Sequence, residues 1–464
     1  MVFNKTILEK NTPLPSFGPL ISDWETILLK VIDVIIERYQ RNPSYHFIDT
    51  KLSMLTGEDF LPLEDDAIDF KSENSIFGWI QGRGLESLVG HALWIEKATF
   101  LNTEEKETRI LQLRKMIEEV FETLEEIRTK NNGHLFFTFS PEGHFFNIND
   151  EGQKEFFNQT DDDSTMSDLF YVKGMVAAAH YLNQTNKISE AEEFFSKILK
   201  DIDDEKFKGD QVSFDPKNKV KPIPNVKAQG VRMIALGGIA IFAELTQKQT
   251  WYDKGCEYIV YLINKHTNCQ NNLDLEEYDF CERITLDEKA YKGDDGILCD
   301  PGHALEFIGL AAKILLLLKQ KNELSDFESE VFDLGVKYFY PLFAHNFELG
   351  FQANPGGIIK AFDLASRSPI NDDMPWWNLP ETMRAAIEVH ELIIDADQKA
   401  DLINAIIDCS NAFFKNFLNE SVHLMAYQTV DKNGNPVDII PATPDADPGY
   451  HTGLSIIDFL NFIS

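Results

Sequence analysis

Two histidines at the starts of two separate helical segments are the residues of this chain best placed to move protons. The first stands in Asp300-Pro301-Gly302-His303-Ala304-Leu305-Glu306, which opens a strongly apolar segment, and the second in Gly449-Tyr450-His451 far downstream. Asp300 can accept from an orphan helix N–H, and Pro301 suits the first helical position, where a missing N–H costs nothing. His303 then falls in the first turn. There the positive end of the helix dipole disfavours imidazolium, so the ring is expected to be neutral and ready to take a proton. Glu306 lies one turn along the same face, able to hold the ring in one tautomer or to bind a substrate hydroxyl. The plainer reading is a capping histidine beside a solvated glutamate. Two such histidines together suit two-base proton chemistry.

Four further clusters sit where longer links meet helical segments. In Trp79-Ile80-Gln81-Gly82-Arg83-Gly84, an arginine at a helix start is flanked by glycines that admit a ligand or a neighbouring backbone. Arg83 there can stabilise an oxyanion; the alternative is a surface arginine paired with Glu86. Met374-Pro375-Trp376-Trp377-Asn378-Leu379-Pro380-Glu381 offers aromatic faces for the C–H faces of a sugar, with Asn378 and Glu381 for its hydroxyls. Paired tryptophans also serve as core, and one at most is expected to face a ligand. The stretch His134 to Asn149, with the turn Pro141-Glu142-Gly143, predicts a β-hairpin at a barrel mouth, the one place where strand is expected. Its histidines, His134 and His144, are expected to be structural or exposed. In Gln229-Gly230-Val231-Arg232-Met233, Arg232 either reaches the cavity as a substrate ligand or pairs with surface acids.

The negative findings narrow the chemistry. No phosphate-binding loop, dinucleotide fingerprint, zinc-protease motif or nucleophile elbow is present, so no cofactor is expected. His266, Cys269 and Cys281 lack structural zinc spacing, and no metal is expected. The five cysteines form no C-x-x-C pair, and their odd count suits a reducing compartment. Lys5, Glu9 and Lys10 interrupt the first twenty residues, which do not read as a secretory signal, and a cytoplasmic location is expected. The longest apolar stretch, Ile308 to Leu318, is broken by Lys313 and is too short for a membrane span. With 76 acids against 43 bases the net charge is −33, which argues against nucleic acid, anionic membranes and polyanions and favours a neutral ligand. Whether the chain forms a homodimer is open at this level.

The elements that must carry these residues are helices. Apolar residues recur at helical spacing over 22–41, 79–100, 103–131, 164–185, 188–204, 228–247, 250–267, 300–321, 324–345, 376–395, 397–418 and 451–463. Ser22 with Glu25 resembles a capping box, and Gly133 ends the third segment. Short connectors make antiparallel hairpins of 164–204, 228–267, 300–345 and 376–418, while longer links holding Gly, Asn and Asp fall between the pairs. Tight and long links alternate as they would in a ring of hairpins whose long loops gather at one end. Six pairs predict an all-α (α/α)6 barrel. The 464 residues show no linker or composition break, so 1–464 is read as one catalytic domain; a helical solenoid would need a repeat length that is not there.

Taken in order, Trp79 to Arg83, Pro301-Gly302-His303-Ala304-Leu305-Glu306, Trp376-Trp377 followed by Glu381, and the late His451 resemble the N-acylglucosamine 2-epimerase family. That family includes renin-binding proteins, cellobiose 2-epimerases and aldose–ketose isomerases, and the resemblance spans approximately residues 75–455. It implies an (α/α)6 barrel, in agreement with the helix count. It also implies that His303 and His451 are the proton-transfer pair, that Arg83 lies near the sugar carbonyl, and that Glu306 and Glu381 are cavity carboxylates. Two departures stand out. Met233 is followed by Ile234 rather than histidine, which resembles the N-acyl-sugar branch. The tryptophan common three residues after the glutamate is Gly309, expected to enlarge or reshape the site. The expected activity is metal-independent inversion at C2 of an open-chain aldose, N-acetylglucosamine to N-acetylmannosamine. The rivals are an aldose–ketose isomerase or cellobiose 2-epimerase and, from other classes, a glycoside hydrolase or lyase using Glu306 and Glu381, or a silent sugar-binding homologue.

Overall fold

A computed structural model describes residues 2–60, 69–158, 161–212, 223–438 and 443–463. Parts of three expected long links, at 159–160, 213–222 and 439–442, lie outside the described residues. The helices are α1 (Gly18–Arg41), α2 (Gly78–Lys97), α3 (Thr103–Lys130), α4 (Met166–Tyr181), α5 (Thr185–Asp203) and α6 (Gly230–Thr246). They continue as α7 (Gln249–His266), α8 (Pro301–Lys319), α9 (Asp326–Gly350), α10 (Asn378–Leu392), α11 (Ala396–Ala412) and α12 (Ser455–Ile463). Each falls on one of the twelve expected segments, with ends displaced by a few residues.

The ring closes through the even-numbered helices. α2 packs on α4, α4 on α6, α6 on α8, α8 on α10, α10 on α12, and α12 returns to α2. α3, α5, α7, α9 and α11 each pack on the inner helix before them in the chain. α1 takes the sixth outer place. Its Trp24 Nε1 donates to Ser410 Oγ of α11 at 3.1 Å, and its Asp33 accepts from Arg109 of α3 at 2.8 and 2.9 Å. The arrangement is an (α/α)6 barrel.

Sequence decides which helix is inner. In α4 every residue from Ser167 to Ala179 is buried, whereas α5 buries a stripe, Ala191, Phe194, Phe195, Ile198, Leu199 and Ile202, at the three-and-four spacing of a one-sided helix. α8 is apolar all round, long enough to cross a membrane, and lies mostly buried in the inner ring. Small residues let inner helices touch. A Cβ on Gly82 would lie 2.6 Å from the Phe170 carbonyl carbon, and one on Gly174 would lie 2.6 Å from Gly82 O. The glycine beside Arg83 therefore admits a neighbouring backbone rather than a ligand.

Two local expectations are corrected. α1 begins at Gly18, with Pro19 in its first turn, so Ser22 and Glu25 lie inside the helix and form no capping box. Asp23 instead accepts from the backbone N–H groups of Asn4 and Thr6 at 2.6 and 2.7 Å. The hairpin around Pro141-Glu142-Gly143 is present within a four-stranded sheet of Ile76–Phe77, Thr138–Phe139, Phe145–Ile148 and Lys154–Phe157. It is not the one place with strand. A second four-stranded sheet orders Ser368–Asn371, Ala361–Asp363, Gly296–Cys299 and Lys292–Gly293, because long links packed over a barrel end need partners for their backbone groups. His134 is buried with Nδ1 2.8 Å from Asp168, and His144 is exposed, both as expected.

Gly174→Ala is expected to lower stability by about 1–3 kcal/mol through forced separation of α2 and α4, read as a lower midpoint in urea unfolding. An unchanged midpoint would show that the two helices part without cost.

Candidate active site

The first turns of the inner helices meet at one end of the barrel around a cavity of ≈ 480 Å³. Ile80 and Arg83 of α2, Phe170 of α4, Met233 of α6 and His303 and Glu306 of α8 face it, and the links before α10 and α12 supply Trp376, Trp377, Tyr450 and His451. All inner helices therefore run the same way, with their N-termini at this end.

Both histidines arrive by the same device, an Asp-Pro-Gly helix start. Asp300 Oδ1 accepts from the N–H groups of Gly302 and His303 at 3.0 and 3.4 Å. Asp447, in Asp447-Pro448-Gly449-Tyr450-His451, accepts from the N–H groups of Tyr450, His451 and Thr452 at 2.8, 3.3 and 2.9 Å, capping a π-turn that leads into α12. Gly302 brings the α8 and α10 starts together, since a Cβ there would lie 2.1 Å from Asn378 Oδ1. That contact carries Trp377 over both imidazoles. Its ring centroid is 5.3 Å from His303 and 5.6 Å from His451, inclined by 30° and 35°.

Each imidazole is held through Nδ1. His451 Nδ1 lies 2.9 Å from Glu381 Oε1, and His303 Nδ1 lies 3.2 Å from Glu282 Oε1 and 3.5 Å from Asp300 Oδ2. An ionised carboxylate can only accept, so Nδ1 carries hydrogen in both rings and Nε2 is left for other work. The environment of His303 overturns the expectation of a neutral ring. Burial favours the neutral form, but Asp300 and Glu282 outweigh both burial and the helix dipole and push the ring up to about 9, making it imidazolium at neutral pH. Glu381 is held below the usual carboxylate range: burial opposes ionisation, while Arg384 and the His451 N–H overcome it. Glu306 is pushed the other way by burial and by the charge of Glu381.

Arg83 is half-buried among aromatic rings, with its guanidinium carbon 4.0 Å from the Phe170 centroid and 5.6 Å from that of Tyr450. It makes no ion pair among the described residues, and its Nε has no protein partner. Burial lowers its hold on its proton. The alternative pairing with Glu86 is not seen, because Glu86 pairs with Lys173 at 3.1 Å. A guanidinium without an ion-pair partner on a cavity wall is a ready partner for an anion.

Three expectations are redrawn. Arg232 is turned away: its guanidinium lies 4.1 Å over Tyr261 and 3.9 Å from Asp203, and it does not line the cavity. Glu381 also lies off the cavity wall, 1% exposed behind His451, so it holds that ring rather than reaching a ligand. Gly309 leaves no gap, because a Cβ there would meet the Ala385 backbone at 3.2 Å; it sets the distance between α8 and α10. Glu282, Gln229 and Lys360 were not anticipated in their roles. Gln229 Nε2 donates to Glu282 at 3.3 and 3.4 Å, and Lys360 Nζ lies 2.5 Å from Asp300 and 5.3 Å over Trp377. No motif marks Glu282, but the repeated Asp-Pro-Gly before each histidine was a legible signal.

Among the described residues, Glu306, Glu381 and His451 have donor atoms close enough to hold a cation, all within 4.8 Å. Both Glu381 oxygens are already engaged, by His451 and by Arg384 at 2.8 Å.

Residues 98–452 match the profile of the N-acylglucosamine 2-epimerase (GlcNAc 2-epimerase) family. No curated protein sequence matches significantly. Among solved structures, the chain is similar to a cellobiose 2-epimerase from Spirochaeta thermophila (TM-score 0.63, 11% identity, covering 97% of this chain and 98% of that one). It is likewise similar to a sugar epimerase from a ruminal bacterium (0.62, 11%, 95% and 98%) and to a D-mannose isomerase (0.59, 15%, 92% and 97%). At these identities the likeness is one of fold.

Nitrogen-15 NMR of the histidines should find His303 protonated at neutral pH with a midpoint near 9, and Glu282→Gln should lower that midpoint. A wild-type midpoint at or below about 6.5, the unperturbed value, would refute control by the two carboxylates. Trp377→Ala is expected to raise KM about tenfold or more by removing the aromatic floor under the ligand. Trp376→Ala should instead cost on the order of 3–5 kcal/mol of stability, because that ring is buried. Negligible effects of both changes on KM and on the unfolding midpoint would remove the tandem tryptophan from the site.

Proposed function

The chain belongs to the N-acylglucosamine 2-epimerase family, and on that premise we propose that it inverts C2 of an open-chain aldose, interconverting N-acetylglucosamine and N-acetylmannosamine. The coarser statement, a carbohydrate isomerase or epimerase on an (α/α)6 barrel, follows from the family and the fold together. The observation that carries the finer reading is the matched pair of imidazoles against Trp377, each with Nδ1 committed to carboxylate.

The C2 hydrogen of an aldose is acidic because it is α to the C1 aldehyde, so ring opening precedes chemistry. In the proposed forward step His451 Nε2 takes the C2 proton, the C–H electron pair forms the C1–C2 double bond, and the carbonyl oxygen becomes an enolate oxygen. Arg83 stabilises that charge from the cavity wall. His303, already imidazolium, gives a proton from Nε2 to the opposite face of C2 as the enolate pair returns to carbon. The product is the epimer, with His451 protonated and His303 neutral. The reverse reaction starts from that state. Glu306, which burial and Glu381 favour in its protonated form, can donate to a substrate hydroxyl.

A glycosidase reading would need Glu306 and Glu381 to flank a bond in the cavity. Glu381 is instead buried behind His451 and bound to Arg384, which leaves that reading without its second carboxylate.

In deuterium oxide, N-acetylglucosamine is expected to acquire deuterium at C2 and to yield N-acetylmannosamine, followed by NMR and chromatography. A ketose as sole product, cleavage of an oligosaccharide, or no exchange with any of N-acetylhexosamine, mannose, glucose and cellobiose would reject the proposal. His303→Asn and His451→Asn should each reduce turnover at least about a hundredfold with the fold intact, since each removes a proton-transfer group. Near-wild-type turnover in either variant would break the two-histidine assignment.

A further inference from the structure

Charged side chains cross the lumen of the barrel below the active site. A second cavity of ≈ 270 Å³ opens at the opposite end, with Lys173, Lys313, Arg384, Tyr450 and Asp458 among its walls. Tyr450 lines both cavities, so a single layer of side chains separates them. Through that layer runs a file of alternating charge. Lys313 Nζ donates to Asp458 Oδ1 at 3.2 Å, Asp458 Oδ2 lies 3.0 Å from Arg384 Nε, Arg384 Nη1 donates to Glu381 Oε2 at 2.8 Å, and Glu381 Oε1 holds His451 Nδ1 at 2.9 Å.

We propose that Arg384, braced from the lower cavity by Asp458, is a positioning residue for His451. By its bond to Glu381 Oε2 it keeps that carboxylate ionised, and the carboxylate keeps hydrogen on His451 Nδ1 and the lone pair on Nε2. The inference rests on the two-histidine reading of the site. Glu381 is 1% exposed, and the charged groups that face it are Glu306 from α8, Arg83 from α2, His451 from the turn before α12 and Arg384 on its own helix. Glu306 disfavours its ionisation, Arg83 is the more remote cation, and among the described residues Arg384 is the one permanent cation in contact. Without Arg384, two buried carboxyl groups would share one site, and the proton they hold between them would move towards Glu381. A protonated Glu381 can present O–H to His451 Nδ1, which frees the ring to take the opposite tautomer with hydrogen on Nε2, the form that cannot accept a proton there. Asp458 prevents the guanidinium from turning down into the lower cavity, and Lys313 balances the second charge of the file.

The lower cavity also supplies the test, because a truncated arginine there leaves a space open to small solutes from the far end of the barrel. In protein labelled with nitrogen-15 at histidine, with His451 assigned by its loss in His451→Asn, wild type should show hydrogen on Nδ1. Arg384→Ala should shift the ring towards the Nε2–H tautomer, Arg384→Lys should retain the wild-type form, and Asp458→Asn should move in the same direction as Arg384→Ala by less. Turnover of Arg384→Ala should fall at least about thirtyfold with KM within about threefold, and guanidinium at tens of millimolar should restore about tenfold where equal urea, neutral and of similar shape, does not. An unchanged His451 tautomer in Arg384→Ala and Asp458→Asn, or rescue by urea equal to that by guanidinium, would overturn the positioning role. The tautomer readout needs no turnover, so it decides this role even if the activity proposed above fails in its own exchange assay.

Discussion

A histidine can move a proton at carbon through one ring nitrogen only if the other is committed, and the carboxylate on Nδ1 organises this end of the barrel. For His451 the commitment is to Glu381, for His303 to Glu282 and Asp300. Each of these acids must be buried to hold its ring and ionised to accept, two demands in conflict. The supporting cast follows from that conflict. Arg384 answers it for Glu381, Gln229 steadies Glu282, and Lys360 together with the α8 N-terminus answers it for Asp300.

The same demand explains why charged side chains cross a lumen that is otherwise largely apolar. Removing an ion from water costs several kcal/mol unless an opposite charge and good geometry offset it. Lys173 sits between Glu86 and the Tyr450 hydroxyl, and Asp458 between Lys313 and Arg384, so no charge in the file stands beside its own sign alone. Burial and the neighbouring Glu86 hold the Tyr450 hydroxyl up at about 12 against the opposing cations, so it remains a neutral phenol between the two cavities. Arg83 is the exception. It is half-buried with no carboxylate partner among the described residues, on the wall where the proposed enolate would form.

The ring gives these groups a common direction. Because consecutive inner helices are joined by an outer one that returns outside the barrel, all inner helices start at the same end, and their N-termini turn partial positive charge towards one cavity. That end suits a reaction that develops negative charge on oxygen. Close approach at Gly302 and Gly309 then sets α8 against α10, which brings His303 under Trp377 and within reach of the His451 side of the site.

What the sequence by itself determined is what short stretches of chain control. The three-and-four spacing of apolar residues located all twelve helices, and Asp300-Pro301 placed His303 in a first turn. Residue types alone also singled out His303, His451, Arg83, Glu306 and the tryptophan pair, which the fold gathers around one cavity. Tertiary structure alone decided the protonation of His303, the retreat of Glu381 behind His451, the diversion of Arg232 onto Tyr261 and the use of Gly309 as a helix contact. The physical reason is range. A helix and its cap are set by hydrogen bonds a few residues long, whereas the charge on an imidazole depends on which carboxylates lie within a few ångströms. Asp300 is local to His303, but Glu282 stands 21 residues from it and Glu381 70 from His451, at distances that only packing brings to contact.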